Sequence, residues 1–392
     1  MRVYYFSAFN SFVLMVDEMN ILVVCTSAGR GGLELHARRE ARFLADDAAI
    51  NCHLVAQENS CVAECVADGG VTPLYLNWCF KALPLLSAIK LARYIDANEI
   101  DLVHFHWGDD QPFVALAKYF SRRKPQLVYS RHMAITRYKK GRYYRFIYGQ
   151  LDLVLTVSNQ VRKEAIEYFP LAPAQIKLLY LGVPPANTEH SSERCQQLSG
   201  VANNHQFNVG MFGRIEHGKG QHLLVDAMAL LEAGGLDLSV TIIGHVMDQN
   251  YAEQLKESIE AKGLSNRFEF VDFIDNPMAV MPCFDVITLL TYSETFGLVL
   301  VEAMRAGVAV IGTNSGGVPE IIIDNETGLL IPAGDAGALA NALARLYEDE
   351  AFKKSLAQKG KQRGDTMFDE MKNFNALVAV LKDVAGTVKD NS

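Results

Sequence analysis

The stretch Ser293-Glu294-Thr295-Phe296-Gly297-Leu298-Val299-Leu300-Val301-Glu302-Ala303-Met304 decides how the rest of the chain is read. It follows Thr288-Leu289-Leu290, the end of an apolar run that reads as a buried strand, and Leu298–Arg305 reads as a helix. Glu294 therefore falls in the strand-to-helix loop and Glu302 well inside the helix. At roughly 1.5 Å of rise per residue the two carboxylates are expected about 10 Å apart along the axis. Between them lie the free N–H groups of Phe296, Gly297 and Leu298 at a helix start, which suit a phosphate. A carboxylate on each side of an anion site fits a sugar, a diphosphate and a ribose laid end to end.

Outward from this stretch, Glu302-Ala-Met-Arg-Ala-Gly307, Gly316-Gly-Val-Pro-Glu320 and Asn325-Glu-Thr-Gly328-Leu-Leu-Ile-Pro332 follow in order. Together they resemble the E-x7-E region of the retaining GT-B-fold glycosyltransferases, family 4 in particular. The resemblance implies an α/β fold: two Rossmann-like, doubly wound parallel-sheet domains facing a central cleft. It also implies a nucleotide-diphosphate-sugar donor, transfer with retention, and no separate cofactor. Glu302 would bind ribose hydroxyls, and Glu294 would orient the transferred sugar. An amphipathic helix with surface acids is the plain alternative.

Strand and helix patterns divide the chain in a compatible way. Strand candidates Ile21–Thr26, Cys52–Ala56, Leu102–His106, Leu127–Ser130 and Leu153–Val157 are continuous apolar runs, as a sheet buried on both faces requires. A second series follows at Val209–Phe212, Ser239–Ile243, Phe268–Val271, Val286–Leu290 and Val308–Ile311. The expected division is an extension over 1–18, an acceptor-side domain over 19–183, a linker over 184–206, a donor domain over 207–365 and a C-terminal helix over 366–392. In the resembled family that helix crosses back to the first domain. Met19 precedes the first strand and is the expected natural start.

Three further groups carry chemistry. Gly213-Arg214-Ile-Glu-His-Gly-Lys219-Gly220 opens the second series and offers a planar cation and a point cation at a helix start. It resembles the family element that holds the donor diphosphate; a solvated turn is the alternative. Ser27-Ala-Gly-Arg-Gly31-Gly32-Leu-Glu34 leaves the first strand with glycines that let backbone approach a ligand. A tight turn is its plain reading, and it is not a dinucleotide fingerprint. His132 matches the family's cleft histidine, expected with Glu294 to act at the transferred sugar, while His104 and His106 end another strand. His106 is a weaker substrate-binding candidate, since a lone histidine is as often structural.

Composition excludes some classes. With 392 residues, 49% apolar, 21% charged and net charge −8, the chain is ordinary globular material of two or three domains and no general nucleic-acid binder. Seven scattered cysteines suggest reduced thiols and a cytoplasmic setting. No Asp-x-Asp triplet occurs, so no metal is expected at the diphosphate. The stretch 111–151 carries ten Lys/Arg and no Asp or Glu, interleaved with tyrosines. It suggests an anionic or membrane-borne acceptor, which the family resemblance implies is a glycan or lipid-linked acceptor, and peripheral contact between residues 118–145 and an anionic membrane; a solvated basic face is the alternative. Asp272 stands where the family usually has Gly, which leaves the base of the nucleotide open. A sugar-nucleotide epimerase of the same fold, or an inactive sugar-nucleotide-binding partner protein, are the rival readings.

Overall fold

The computed structural model describes residues 18–64, 71–76, 84–186, 195 and 207–386. The expected extension before residue 18 lies outside them, as does most of the expected linker. The chain forms two compact units. The first holds the described residues up to 157, then 161–179 and those from 374 on; the second holds 158–160 and 180–373.

In the first unit the chain runs through β1 (Met19–Cys25), α1 (Gly32–Ala45), β2 (Ile50–Ala56), β3 (Thr72–Tyr75), α2 (Leu85–Ala97), β4 (Leu102–Phe105) and α3 (Gln111–Phe120). It continues through β5 (Gln126–Arg131), α4 (Arg142–Tyr148), β6 (Leu153–Thr156), α5 (Asn159–Tyr168) and β7 (Ile176–Leu178). All pairings are parallel, in the order β3-β2-β1-β4-β5-β6-β7. The short strands β3 and β7 at the sheet edges carry no long apolar run and were not expected from the sequence.

The second unit repeats the plan with β8 (Phe207–Phe212), α6 (Gln221–Ala233), β9 (Leu238–Ile243), α7 (Gln249–Ala261), β10 (Phe268–Val271) and β11 (Val286–Leu289). Then come α8 (Leu298–Arg305), β12 (Ala309–Thr313), α9 (Val318–Ile321), β13 (Leu329–Ile331), α10 (Ala336–Glu348), α11 (Glu350–Met367) and α12 (Glu370–Gly386). Its strand order is β10-β9-β8-β11-β12-β13, again all parallel. Central strands such as β1 and β9 are buried on both faces, which explains why their sequences are unbroken apolar runs. The later part of α12 places Phe374, Leu377, Val378 and Leu381 in the core of the first unit.

Two buried polar anchors fix loops in this frame. Where β1 ends, the Thr26 N–H donates to Asp110 Oδ2 at 3.0 Å, and Oδ1 of the same carboxyl bonds the Thr26 hydroxyl. In the second unit the buried Arg305 guanidinium bonds the Val183 carbonyl, Asp365 and Asp369. One expectation is corrected: Cys195 and Cys283 form a disulfide across 88 residues of sequence, so these two are not reduced thiols. Cys195 lies in the expected linker, and its partner ends the short turn Met281–Cys283 that precedes β11, a pairing that cysteine spacing does not reveal. Cys25, Cys52 and Cys61 are buried and form no disulfide.

Burial raises the Asp110 carboxyl from its usual range to about 7, against the pull of the Thr26 hydrogen bonds. A raised acid stabilises the fold below the unfolded pKa and loses that contribution as pH rises toward 7. Asp110→Asn keeps both contacts without an ionisable proton. Its stability relative to wild type should therefore rise by roughly 2–4 kcal/mol between pH 4 and pH 8. Urea denaturation of both proteins at each pH measures this, and a pH-independent difference contradicts it.

Candidate active site

In each sheet the order reverses between the first and fourth strands of its series, and in such sheets ligands bind beyond the carboxyl ends at that point. In the second unit these are β8 and β11. The loop 213–220 leaves β8 and the loop 290–297 leaves β11, so the sequence elements that were 75 residues apart meet here. The Lys219 ammonium donates to Glu294 Oε2 at 3.0 Å, with both side chains mostly shielded from solvent.

The backbones of the two loops lie close together. A Cβ on Gly220 would sit 2.3 Å from the Leu290 carbonyl oxygen, and Gly220 has φ of +78°. The Tyr292 N–H donates to the Gly218 carbonyl at 3.3 Å. From the other side the 315–317 turn supports Glu294: the Gly317 N–H donates to the Glu294 carbonyl at 2.8 Å. A Cβ on Gly316, at φ +62°, would fall 1.9 Å from that same oxygen. Only glycine fits there, which is the physical content of the Gly316-Gly317 motif.

The remaining residues that the sequence assigns to a site in this unit lie on the same two loops and on α8. Gly297, left-handed at φ +106°, caps α8, so the N–H groups at Leu298 and just beyond point out of a helix start. Phe296 is buried, with Tyr180 and Phe368 rings at 5.9 and 5.7 Å. Glu302 is half-buried within α8. Arg214 is exposed and its guanidinium pairs with Glu216 at 3.0 Å. Sequence reasoning missed Tyr292, His217 and His222. The Tyr292 ring lies parallel to that of His217 at 6.1 Å, and its hydroxyl is 3.1 Å from His222 Nε2. No spacing signal marks aromatic loop residues of this kind.

In the first unit, Gly31 caps α1 and Gly32 begins it. The Gly31 N–H donates to Glu34 Oε2 at 2.9 Å, while the Ser27 hydroxyl bonds Oε1 of the same carboxylate. Glu34 thus locks the glycine loop from within. His106 follows β4 and His132 follows β5, and His106 Nδ1 lies 3.1 Å from His132 Nε2. Both are buried, and burial is the largest influence lowering each below the usual histidine range. For His132 the neighbouring His106 and His36 push the same way. His132 is therefore a neutral imidazole. Glu40, also missed from sequence, lies beneath them, bonded to His104 Nδ1 at 2.5 Å.

Residues 30–187 match the family model Glycosyltransferase Family 4, and residues 199–363 match the model Glycosyl transferases group 1. The chain belongs to the GT-B glycosyltransferases of the family 4 type. Among curated relatives, it is 29% identical over 180 residues to the lipopolysaccharide core biosynthesis mannosyltransferase LpcC of Rhizobium leguminosarum, covering 45% of this chain and 51% of that one. Matches to the curated relatives span from about a third to just under two thirds of their length. A glycosyltransferase structure from Rickettsia africae superposes with a TM-score of 0.83 at 20% identity, over 94% of this chain and 99% of that one. Anabaena HepE in complex with UDP and glucose superposes at 0.80 with 24% identity, over 93% and 100%. These likenesses establish the GT-B fold.

Gly316→Ala should lose stability by about 2 kcal/mol or more, since a left-handed non-glycine residue costs roughly 1–2 kcal/mol before its clash with the Glu294 carbonyl. Gly235→Ala, at a left-handed position with open space around it, carries only the conformational cost. Denaturant unfolding of both should rank Gly316→Ala clearly lower. Equal losses would mean the 294 loop yields freely.

Proposed function

We propose that this chain is a retaining glycosyltransferase that moves a sugar from a nucleotide-diphosphate-sugar to a glycan or lipid-linked acceptor. The pathway would be lipopolysaccharide or polysaccharide biosynthesis of bacterial type. The observation that carries the reading is the Lys219–Glu294 pair at the β8/β11 switch point, beside the start of α8. A cation, a carboxylate and unbonded helix N–H groups in one place suit a sugar diphosphate. The names of relatives support the pathway: a lipopolysaccharide core mannosyltransferase, and a capsular polysaccharide glycosyltransferase of Staphylococcus aureus.

In this reading Lys219, Arg214 and the N–H groups around Phe296–Leu298 hold the diphosphate, and Glu302 binds the ribose. Glu294 holds a hydroxyl of the transferred sugar. The acceptor oxygen bonds the anomeric carbon on the face that the leaving oxygen departs. The electron pair of the broken bond goes to the diphosphate, and the acceptor's proton passes to a leaving phosphate oxygen. Charge develops on that phosphate, so fixed cations and dipoles carry the catalysis, without a metal ion at the diphosphate. Lys219→Ala should lower turnover on the order of 10²–10³-fold. Glu302→Ala should chiefly raise the KM for the donor. A thermal-shift screen of nucleoside diphosphate sugars identifies the donor, and wild-type turnover in Lys219→Ala would refute the assignment.

The acceptor side carries an exposed basic and aromatic surface. Lys118 and Arg123 are paired with Asp152 and Asp101, and Arg131 is turned inward to the Tyr129 hydroxyl. Arg137, Lys140, Arg142 and Arg145 are exposed together with Tyr119, Tyr138, Tyr143 and Phe146. Exposed rings among cations suit a headgroup layer, where each cation adds about 1 kcal/mol of attraction. No helix among the described residues is long and apolar enough to cross a membrane. The protein should therefore co-sediment with vesicles containing anionic lipid at low salt and be released at high salt. Charge reversal at Lys140 and Arg142 should weaken this, and indifference to anionic lipid would overturn it.

A further inference from the structure

The carboxylate of Glu40 sits fully buried under α1 with four imidazoles around it. One side of it is closed. Oε1 bonds His104 Nδ1 at 2.5 Å, and His104 Nε2 is satisfied by the Ser130 hydroxyl at 2.8 Å. The other side is open: Oε2 lies 3.4 Å from His106 Nε2 and 3.7 Å from His36 Nε2. Both Oε2 and His106 Nε2 are buried without a hydrogen bond. Buried polar groups of a native protein are ordinarily satisfied, so a pair of them facing one point calls for a partner.

The geometry of the three atoms indicates which partner. They lie within 4.8 Å of one another. Ligands held at about 2.0–2.1 Å from a tetrahedral ion are roughly 3.3 Å apart, and the two measured edges approach that value. His36 and Glu40 are one helical turn apart on α1, so their side chains share a face; His106 comes from the end of β4. Two imidazoles and a carboxylate suit a borderline divalent ion rather than magnesium or calcium. We propose that His36, Glu40 and His106 ligate one divalent transition-metal ion of the zinc class, tying α1 to β4.

The surrounding contacts are those such a site needs. His104 orients the Glu40 carboxylate through its second oxygen, and His106 presents its remaining nitrogen to His132 Nε2. With the ion on Nε2, His106 carries its proton on Nδ1 and donates it to His132. His132 Nδ1, which is buried and unpartnered, then bears the proton on that ring. The site itself does not depend on glycosyl transfer.

The test is metal analysis of the full chain, purified without chelator or affinity metal and dialysed against metal-free buffer. About one zinc, iron or nickel ion per chain is expected in wild type. It should be lost in His36→Ala and in Glu40→Gln, and kept in His53→Gln, a buried histidine of the same unit outside the cluster. Wild-type protein stripped with dipicolinate should regain melting temperature on adding Zn2+. Its Co2+ form should show d–d bands of an N/O site without thiolate charge transfer, which excludes the buried cysteines. If the substituted chains do not fold, these two measurements on wild type still decide. No bound transition metal together with no rise in melting temperature on Zn2+ addition overturns the proposal, as does thiolate charge transfer in the Co2+ form.

Discussion

The candidate site of the second unit depends on two backbone segments lying closer than any side chain permits. The loop after β8 and the loop after β11 meet at Gly220 and Leu290, and the 315–317 turn presses on Glu294 from the opposite side. These contacts leave Glu294 little freedom of backbone, so its carboxylate is presented to Lys219 rather than to solvent. The Lys219–Glu294 pair keeps both charges satisfied before any ligand arrives. Under the proposed function, a diphosphate entering there would compete for the lysine and release the glutamate toward a sugar hydroxyl, coupling donor binding to placement of the sugar. Arg214 is exposed and pairs with Glu216, so of the two cations in this loop it has the more freedom to swing.

The first unit repeats the topology but carries a different kind of core. Its switch point, between β1 and β4, holds buried polar side chains: Thr26 with Asp110, Ser27 with Glu34, and Glu40 among histidines. A buried carboxylate is costly unless neighbours stabilise its charge. Burial pushes Glu40 up, yet His104, which bonds its Oε1, and the other imidazoles beside it outweigh burial and hold the group well below the usual range. His132 is thus placed through His106 by a chain of contacts that begins on α1.

How much of this was legible in the sequence follows from the range of each interaction. Strands buried on both faces declare themselves as apolar runs, so β1, β2, β8 and β9 were found within a few residues. The edge strands β3, β7 and β13 are three or four residues long and have no such signature. The glycines at 297, 316 and 317 were legible as a motif, and the structure supplies the reason in φ values and close approaches. Pairings across long separations were not legible. Lys219 with Glu294, Cys195 with Cys283, and Glu40 with His104 depend on register in space, which composition and spacing do not encode. The disulfide in particular overturned an expectation built on cysteine scatter alone.

The central claim is that the second unit holds a nucleoside diphosphate through Lys219 and the α8 terminus, without a metal ion at the phosphates. Isothermal calorimetry of the whole protein with nucleoside diphosphates, in buffer containing EDTA, measures it directly. The account predicts binding of at least one nucleoside diphosphate that is unchanged by added Mg2+ or Mn2+. It predicts that the matching monophosphate binds about tenfold or more weaker, and that Lys219→Ala loses a similar factor. Binding that appears only with a divalent ion, or that is indifferent to Lys219, would contradict it.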